Sequence, residues 1–344
     1  MSCDMSGEFS IPFVLSFFIA AVLLVLLIRR SRGGDEAERQ EDGRRHKPVS
    51  RFGGIALILA FVVPVLLDAH LMMSSQLLGL LLGAFLILFV GIWDDIVPIP
   101  WWVQLLFQVV LAVVIFGSGM RAWVITNPFG TPVFLHPEIS FLPSFLVGFL
   151  FVILVMNAVN WADGVDGLLG GTAVVAFLAV FLVALRPEVN QPTVAILAAI
   201  LAGLSVAFLV FNFPPARIMA GTTGAYFIGF SIAALSLFAG VKIATILLVL
   251  AVPALDALAV IVSRLRAGVS PWRGGDARHL HDRLRRIGWS DRSIMLLSTG
   301  VSAMAAFAAL SLPAFGKFFF LLALAAGFLF FLSRIEQRIR TQPS

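Results

Sequence analysis

One cysteine, Cys3, is all that the chain carries, so no disulfide can close within it and no cysteine framework can staple a secreted fold. Charge is also scarce. Asp, Glu, Lys and Arg make up 12% of the residues against 60% hydrophobic ones, with a mean hydropathy of +1.01. A water-soluble domain of that balance would be covered in exposed apolar surface, which excludes the soluble class. The basic–aromatic interleaving of a nucleic-acid binder is missing, and so is any internal repeat of the kind that builds inverted-repeat transporters. The first apolar stretch, Ile11 to Ile28, lacks a basic n-region, is longer than a signal-peptide core and runs into Arg29-Arg30. It is expected to stay as an anchor.

What the chain has in quantity is apolar runs of spanning length, about 17–25 residues. They fall near 11–28, 52–67, 77–93, 101–117, 143–159, 168–185, 193–211, 225–239, 242–262, 293–312 and 315–333. The expected fold is an all-α integral membrane protein of about eleven transmembrane helices forming a single polytopic domain. Its 17 prolines and 29 glycines do not count against this, because neighbouring helices can resatisfy freed backbone groups. Lysine and arginine resist translocation. All of the 24 except Arg121, Arg186, Lys242 and Lys317 fall where an eleven-span chain with its N-terminus outside would leave them in the cytoplasm. The C-terminus and the loops near 29–51, 94–100, 160–167, 212–224 and 263–292 then face the cytoplasm from a plasma (inner) membrane.

Ionisable groups at a membrane boundary have a free-energy cost and so mark function. Gly91-Ile92-Trp93-Asp94-Asp95 ends the third span with adjacent carboxylates that repel unless a cation or basic group is near. The densest stretch sets Asn157, Asn160, Asp163 and Asp166 three residues apart, so that on a helical or 3₁₀ segment their oxygens share one face. Hard cations such as Mg²⁺ take such ligands. A bland reading makes the same residues helix caps beside turn-forming glycines, although caps alone do not need four polar groups in register. Next comes Asn212 with Arg217 and the glycine-rich Gly221-Thr222-Thr223-Gly224, opening into an apolar helix that could offer N–H groups to phosphate. Finally, Arg278-His279-Leu280-His281-Asp282-Arg283 suits anion binding better than a closed zinc site, for which its ligands are too few. Asp256 stands inside the ninth span behind Pro253, either as a hydrogen-bonded carboxyl orienting a helix or as a group acting directly.

Together these stretches resemble the polyprenyl-phosphate N-acetylhexosamine-1-phosphate transferases, the membrane superfamily that includes phospho-MurNAc-pentapeptide translocase. The resemblance rests on His46-Lys47-Pro48 with Arg51-Phe52-Gly53-Gly54, Asp94-Asp95, the Asn157-to-Gly167 block, Asn212 and His279-Leu280-His281, in the family's order from about 46 to 290. Pro253 and Asp256 with the His-Leu-His form look more like the branch that transfers a GlcNAc-type sugar phosphate. The resemblance implies transfer of a sugar 1-phosphate from a UDP-sugar to a polyprenyl phosphate, releasing UMP, with Mg²⁺ or alternatively Mn²⁺ as cofactor. It implies Asp94 and Asp95 as the catalytic pair, Asn160 and Thr222 at the metal, and Lys47, Asp163, Asp166, Asn212, His279 and His281 at the substrates. The implied partners are the UDP-sugar, the lipid phosphate and the membrane, with no nucleic acid, and a homodimer is carried as an expectation.

Two departures from the family's pattern matter. Where the family reads Met-Gly-Asp-x-Gly, with the aspartate as central Mg²⁺ ligand, this chain has Ala220-Gly221-Thr222-Thr223-Gly224, and a neutral hydroxyl is a weaker ligand than a carboxylate. Asp282 stands where the family often has a third histidine. An enzyme with altered metal ligation is the main expectation. The alternatives are a relative that binds lipid phosphate or a partner without turnover, and a transporter of a lipid-linked substrate.

Overall fold

The structure, a computed structural model, describes residues 5–31, 49–125, 127–135, 141–240, 243–270 and 278–341. Among them run α1 (Met5–Ser31), α2 (Gly53–Leu67), α3 (Ser75–Ile96), α4 (Trp101–Gly117), α5 (Phe141–Ala162), α6 (Leu168–Ala184), α7 (Pro192–Asn212) and α8 (Gly221–Phe238). They are followed by α9 (Ile243–Val249), α10 (Ala251–Arg266), α11 (Leu280–Arg286), α12 (Asp291–Ser311) and α13 (Ala314–Thr341). A two-residue ribbon between α4 and α5, β1 (Val124–Ile125) with β2 (Val133–Phe134), is antiparallel, Val124 facing Phe134.

The chain is helical and membrane-spanning, as its apolar runs require. Among the described residues seven helices are long and apolar enough to cross a bilayer: α1, α3, α5, α7, α8, α12 and α13. The pair α9 and α10 makes an eighth if taken together, while α2, α4 and α6 are apolar but shorter. On these criteria the count stops short of eleven.

The single span expected at 242–262 is instead broken, with α9 and α10 meeting at 84°. Pro253 gives the reason. It has no N–H to donate and its ring would collide with the carbonyl four residues back, which is Val249, the last residue of α9. The helix therefore stops with Leu250 N–H bonded to Ile246 O and restarts with Ala254 N–H bonded to Leu250 O, both at 2.9 Å. Pro253 sits in the first turn of α10, where a missing N–H costs nothing.

Helices α7 and α8 form the centre and are buried along nearly their whole length, with α1 and α6 against α7 and α2, α3 and α5 against α8. Lipid is as apolar as leucine, so close packing and interhelical hydrogen bonds hold such a bundle together. One such bond runs from Ser16 Oγ to Ile200 O at 2.8 Å. At the other extreme α13 has one buried residue, Ile335.

Helix direction alternates along the bundle, so the C-termini of α3, α5, α7 and α10 gather at one end with the N-termini of α2, α4, α6, α8 and α12. Backbone bonds fix this: Gly53 N–H to Met219 O and Gly54 N–H to Ala220 O join the start of α2 to the start of α8. The C-terminal half of α13 reaches the same end through an ion pair between Glu336 and Arg283. Arg121 and Arg186 follow the far ends of α4 and α6, and Lys317 begins α13 and donates to Thr245 near the start of α9. The described exceptions to the charge bias thus lie at the opposite end.

Candidate active site

The polar residues converge at this end, beginning with Asp94 and Asp95. Both lie in the last turn of α3 rather than in a loop. Asp94 Oδ1 accepts from Ile99 N–H at 2.8 Å and from Gln104 Nε2 at 3.1 Å, and its Oδ2 accepts from the Thr222 hydroxyl at 2.6 Å. Asp95 Oδ1 accepts from Thr222 N–H at 2.7 Å, while Oδ2 accepts from Thr223 N–H at 3.2 Å and the Thr223 hydroxyl at 2.6 Å. The residue preceding α8, Ala220, has no capping side chain, so Asp95 caps α8 from across the bundle. A carboxylate there satisfies orphan N–H groups and sits at the positive end of the helix dipole. This is why α8 begins at Gly221, four residues before the apolar run that marked it. Gly221 has φ +67°, and a Cβ there would stand 2.6 Å from Asp95 Oδ1, so glycine answers both the backbone and the space.

The segment after α5 supplies the second group. Asp163 faces Asp95, Asp166 and Arg51. Burial pushes its carboxyl well above the usual carboxylate range; Asp95 and Asp166 push the same way, and Arg51 and the Gly221 N–H oppose them. Asp166 Oδ2 accepts from Ala216 N–H at 2.9 Å. Asn212, 2% exposed, uses both ends of its amide on backbone: Oδ1 accepts from Gly167 N–H and Nδ2 donates to Ile218 O, each at 2.8 Å. It ties the 160–167 and 212–224 segments together. Asn160 is half-buried at the end of α5, whereas Asn157 turns away from Asp163 and bonds to Gln108 on α4. The four residues at three-residue spacing therefore do not form one oxygen face.

The third group comes from α10 and α11. Asp256 is a capping residue: its Oδ2 lies 2.8 Å from His279 Nδ1 and its Oδ1 accepts from Leu280 N–H at 2.7 Å, the first N–H of α11. His279 stacks on His281, ring centroids 5.4 Å apart, and meets the edge of Trp161. His281 lies on Gly164, where a Cβ would be 2.7 Å from Nε2, and Arg285 donates to Gly164 O at 3.0 Å while gripping Asp291 through two nitrogens. Burial holds the His281 imidazole below its ordinary pKa, with Asp282 and Asp256 pulling it up and His279 and Arg285 adding to the lowering. The Asp163 segment and the two histidines thus share one wall.

Lys47 lies outside the described residues, but Ser50 and Arg51 lead directly to the site: Met219 N–H bonds to Ser50 O at 2.9 Å. Sequence reasoning missed Gln104, Gln108, Thr223 and Tyr226. The two glutamines were findable, being the polar side chains of α4, four residues apart on one face of an otherwise apolar helix. Among the described residues no three His, Cys, Asp or Glu side chains form a ready metal cage. The donor chemistry nevertheless suits a hard divalent ion at Asp163, whose carboxyl faces two like charges and a single arginine, since Mg²⁺ is usually held by one or two carboxylates plus substrate phosphate. Thr222 has its hydroxyl proton on Asp94 and keeps only oxygen lone pairs for a cation. Beside the histidines, a small cavity lined by Trp161, Asp256, Leu280 and His281 adjoins an apolar one of about 350 Å³ between α10, α12 and α13; Val252, Leu280 and Ser298 line both.

Comparison with known proteins places the chain among transferases. Residues 77–240 match glycosyl transferase family 4. The chain is 30% identical over 292 residues to a probable undecaprenyl-phosphate N-acetylglucosaminyl 1-phosphate transferase of Bacillus subtilis, covering 81% of this chain and 79% of that protein. It is 30% identical over 315 residues to the decaprenyl-phosphate N-acetylglucosaminephosphotransferase of Mycolicibacterium smegmatis, covering 83% and 76%. A phospho-N-acetylmuramoyl-pentapeptide-transferase of Levilactobacillus brevis is 32% identical over 255 residues, covering 66% and 74%.

Proposed function

Because this chain belongs to glycosyl transferase family 4, we propose that it transfers a sugar 1-phosphate from a UDP-sugar to a polyprenyl phosphate, for cell-envelope glycan synthesis. The sugar is of the N-acetylhexosamine type. A lipid phosphate oxygen attacks the phosphorus that carries the sugar, the bond to UMP breaks, and a diphosphate-linked lipid sugar remains. The observation that carries this reading is the meeting of Asp94, Asp95, Asp163, Asp166, His279 and His281 at one end of an apolar bundle. One substrate is a soluble anion and the other a membrane lipid, so their reaction belongs at that boundary.

Phosphoryl transfer needs positioning and charge neutralisation more than covalent chemistry from the protein. Asp94 orients the lipid phosphate and takes its proton, while Asp95 holds the start of α8 against it. Asp163 and Asn160 would hold Mg²⁺, or Mn²⁺, together with substrate phosphate, and Thr222 would add an oxygen. When bound, the ion neutralises phosphate charge. His281, whose imidazole burial keeps neutral, and His279 offer ring nitrogens to the nucleotide-sugar, with Asp166 beside them, and Arg51 and Lys47 offer positive charge to phosphate. The apolar cavity next to the histidines suits the first isoprene units. Eleven spans, with the N-terminus outside and this end facing the cytoplasm of the plasma membrane, follow if α2, α4 and α6 cross as short helices and α9–α10 enters as one; the grouping of arginines at the site's end supports that orientation.

The test is UMP release by the purified protein from several UDP-sugars with polyprenyl phosphate and Mg²⁺. The wild type and Glu188→Gln, an exposed change at the far end, are expected to release UMP, and Asp94→Asn to lose activity by roughly 10²–10⁴-fold. A folded wild type that binds polyprenyl phosphate yet releases no UMP with any sugar would replace this reading with that of a non-catalytic lipid-phosphate binder.

A further inference from the structure

The bundle interior behind Asp94 holds a polar chain that the chemistry above does not use. Asn157 Nδ2 on α5 lies 2.7 Å from Gln108 Oε1 on α4, and Gln108 Nε2 lies 3.3 Å from the Tyr226 hydroxyl on α8. That hydroxyl lies 3.1 Å from Gln104 Oε1 on α4, and Gln104 Nε2 lies 3.1 Å from Asp94 Oδ1. Gln108 and Tyr226 are 2% and 1% exposed. These side chains join three helices to the end of a fourth.

The direction of every bond is fixed by its ends. At the site, Gln104 Nε2 faces Asp94 Oδ1 and also Ile99 O at 3.4 Å. A carboxylate and a carbonyl only accept, so this nitrogen must be the amide NH₂. Gln104 Oε1 then accepts, and the Tyr226 hydroxyl must donate to it. The tyrosine oxygen is left to accept from Gln108. At the far end Asn157 Nδ2 donates to Ile153 O at 2.8 Å, which fixes that amide too and directs its donation to Gln108 Oε1. Gln108 Nε2 also lies 3.4 Å from Asn157 Oδ1, a longer return bond that makes these two amides a reciprocal pair; from Gln108 onward the donors point one way, through Tyr226 and Gln104 to Asp94.

We infer that this one-way chain is a positioning device for Asp94: Gln104, Gln108, Tyr226 and Asn157 orient its Oδ1 and stabilise its charge, leaving Oδ2 toward Thr222 and the pocket. Aligned donors polarise one another, and in a low-dielectric interior each counts for more than in water. An ordinary interhelical bond would hold helices together without regard to direction. Here each step from Gln108 onward is oriented toward the one group proposed to meet the lipid phosphate, and the shorter of the two Asn157–Gln108 bonds points the same way. The inference rests on the transferase reading for its catalytic meaning, but its structural content can be read without turnover.

The experiment uses full-length protein in detergent and exploits the fact that Tyr226 is the chain's single tyrosine. Infrared spectra with ring-labelled tyrosine report the hydrogen bonding of that hydroxyl alone, in wild type, Asp94→Asn and Gln104→Leu. Steady-state UMP release gives kcat and KM for Tyr226→Phe, Gln104→Leu, Gln108→Leu and Asn157→Leu, with thermal stability measured alongside. The expected result is a tyrosine band moved by Asp94→Asn and by Gln104→Leu. It is accompanied by a fall in kcat that fades with distance, from about 100-fold at Gln104 through about tenfold at Tyr226 to a few-fold at Asn157, while KM for the UDP-sugar stays within about twofold. A band that ignores Asp94→Asn would overturn the inference. So would unchanged kcat in Tyr226→Phe, or losses of thermal stability with no graded fall in kcat. A wild type without turnover whose tyrosine band still follows residue 94 would uphold the coupling and instead sink the transferase reading.

Discussion

Two junctions in this protein use one device with different results. At the first, Asp95 on α3 caps α8, and at the second, Asp256 on α10 caps α11; neither capped helix carries a capping side chain of its own. The first junction is built into the centre of the bundle. Asp95 accepts three bonds from Thr222 and Thr223, and its neighbour Asp94 accepts three more, one of them from the buried chain behind it. The second joins a seven-residue helix, α11, to α10, which is itself set at 84° to α9. Its carboxylate makes two bonds, one of them to a histidine. The difference separates a carboxylate that ties the central helices together from one that places a histidine and a short helix.

Removing each cap breaks the comparison in opposite ways. Asp95→Ala strips three donors of their partner inside the bundle and is expected to destabilise the whole protein by about 3 kcal/mol, seen as a lower cooperative melting temperature. Asp256→Ala should cost about 1 kcal/mol and act locally, seen as faster amide exchange confined to 280–286 and weaker UDP-sugar binding. Equal global effects would erase the distinction.

Charge sharpens it further. Thr222→Asp would put a carboxylate where the hydroxyl now donates to Asp94 Oδ2, and like charges at that separation destabilise by about 1–2 kcal/mol. Melting should fall without divalent cation and recover with Mg²⁺; recovery with EDTA present would contradict the assignment of a cation to this pocket. Asp163→Asn is smaller in stability and opposite in sign. A carboxyl whose pKa is raised by folding binds its proton more tightly when folded, so stability is lost as pH rises from the unfolded value through the folded one. Asparagine removes that loss, and the variant should melt higher than wild type at neutral pH while releasing little UMP.

The smallest effect belongs to the second junction. His281 has its pKa lowered by burial, so the folded protein binds that proton more weakly and loses stability as pH falls through the unfolded value of about 6.5. His281→Gln should flatten this acid dependence by a fraction of a kcal/mol, measured as the pH slope of exchange in α11.

The helical, membrane-spanning character and the polar residues that gather at one end were readable from the sequence because both are matters of composition: long apolar runs, interrupted by carboxylates and histidines where none should be. Partnerships were not. The start of α8 was missed because its cap, Asp95, lies 127 positions from Thr222, and no local pattern records a cap that comes from another helix. Asn212 was assigned to the substrates by the family resemblance, and no local pattern showed that its amide also joins two backbone segments. Pro253 was visible, but in a membrane helix proline is often tolerated, and its break became evident only with the two flanking helices in view. Tyr226 is anonymous in an apolar run; only its neighbours across the bundle show its direction.

The break between α9 and α10 has a mechanical consequence. Seven residues of helix rise only about 10 Å, roughly a third of a hydrocarbon layer about 30 Å thick, before the chain swings aside. The apolar hollow that adjoins His281 lies beside this break, between α10, α12 and α13. On the transferase reading a lipid keeps its tail immersed in that hollow while its head group reaches the histidines, so the bilayer need not release the molecule that the site modifies.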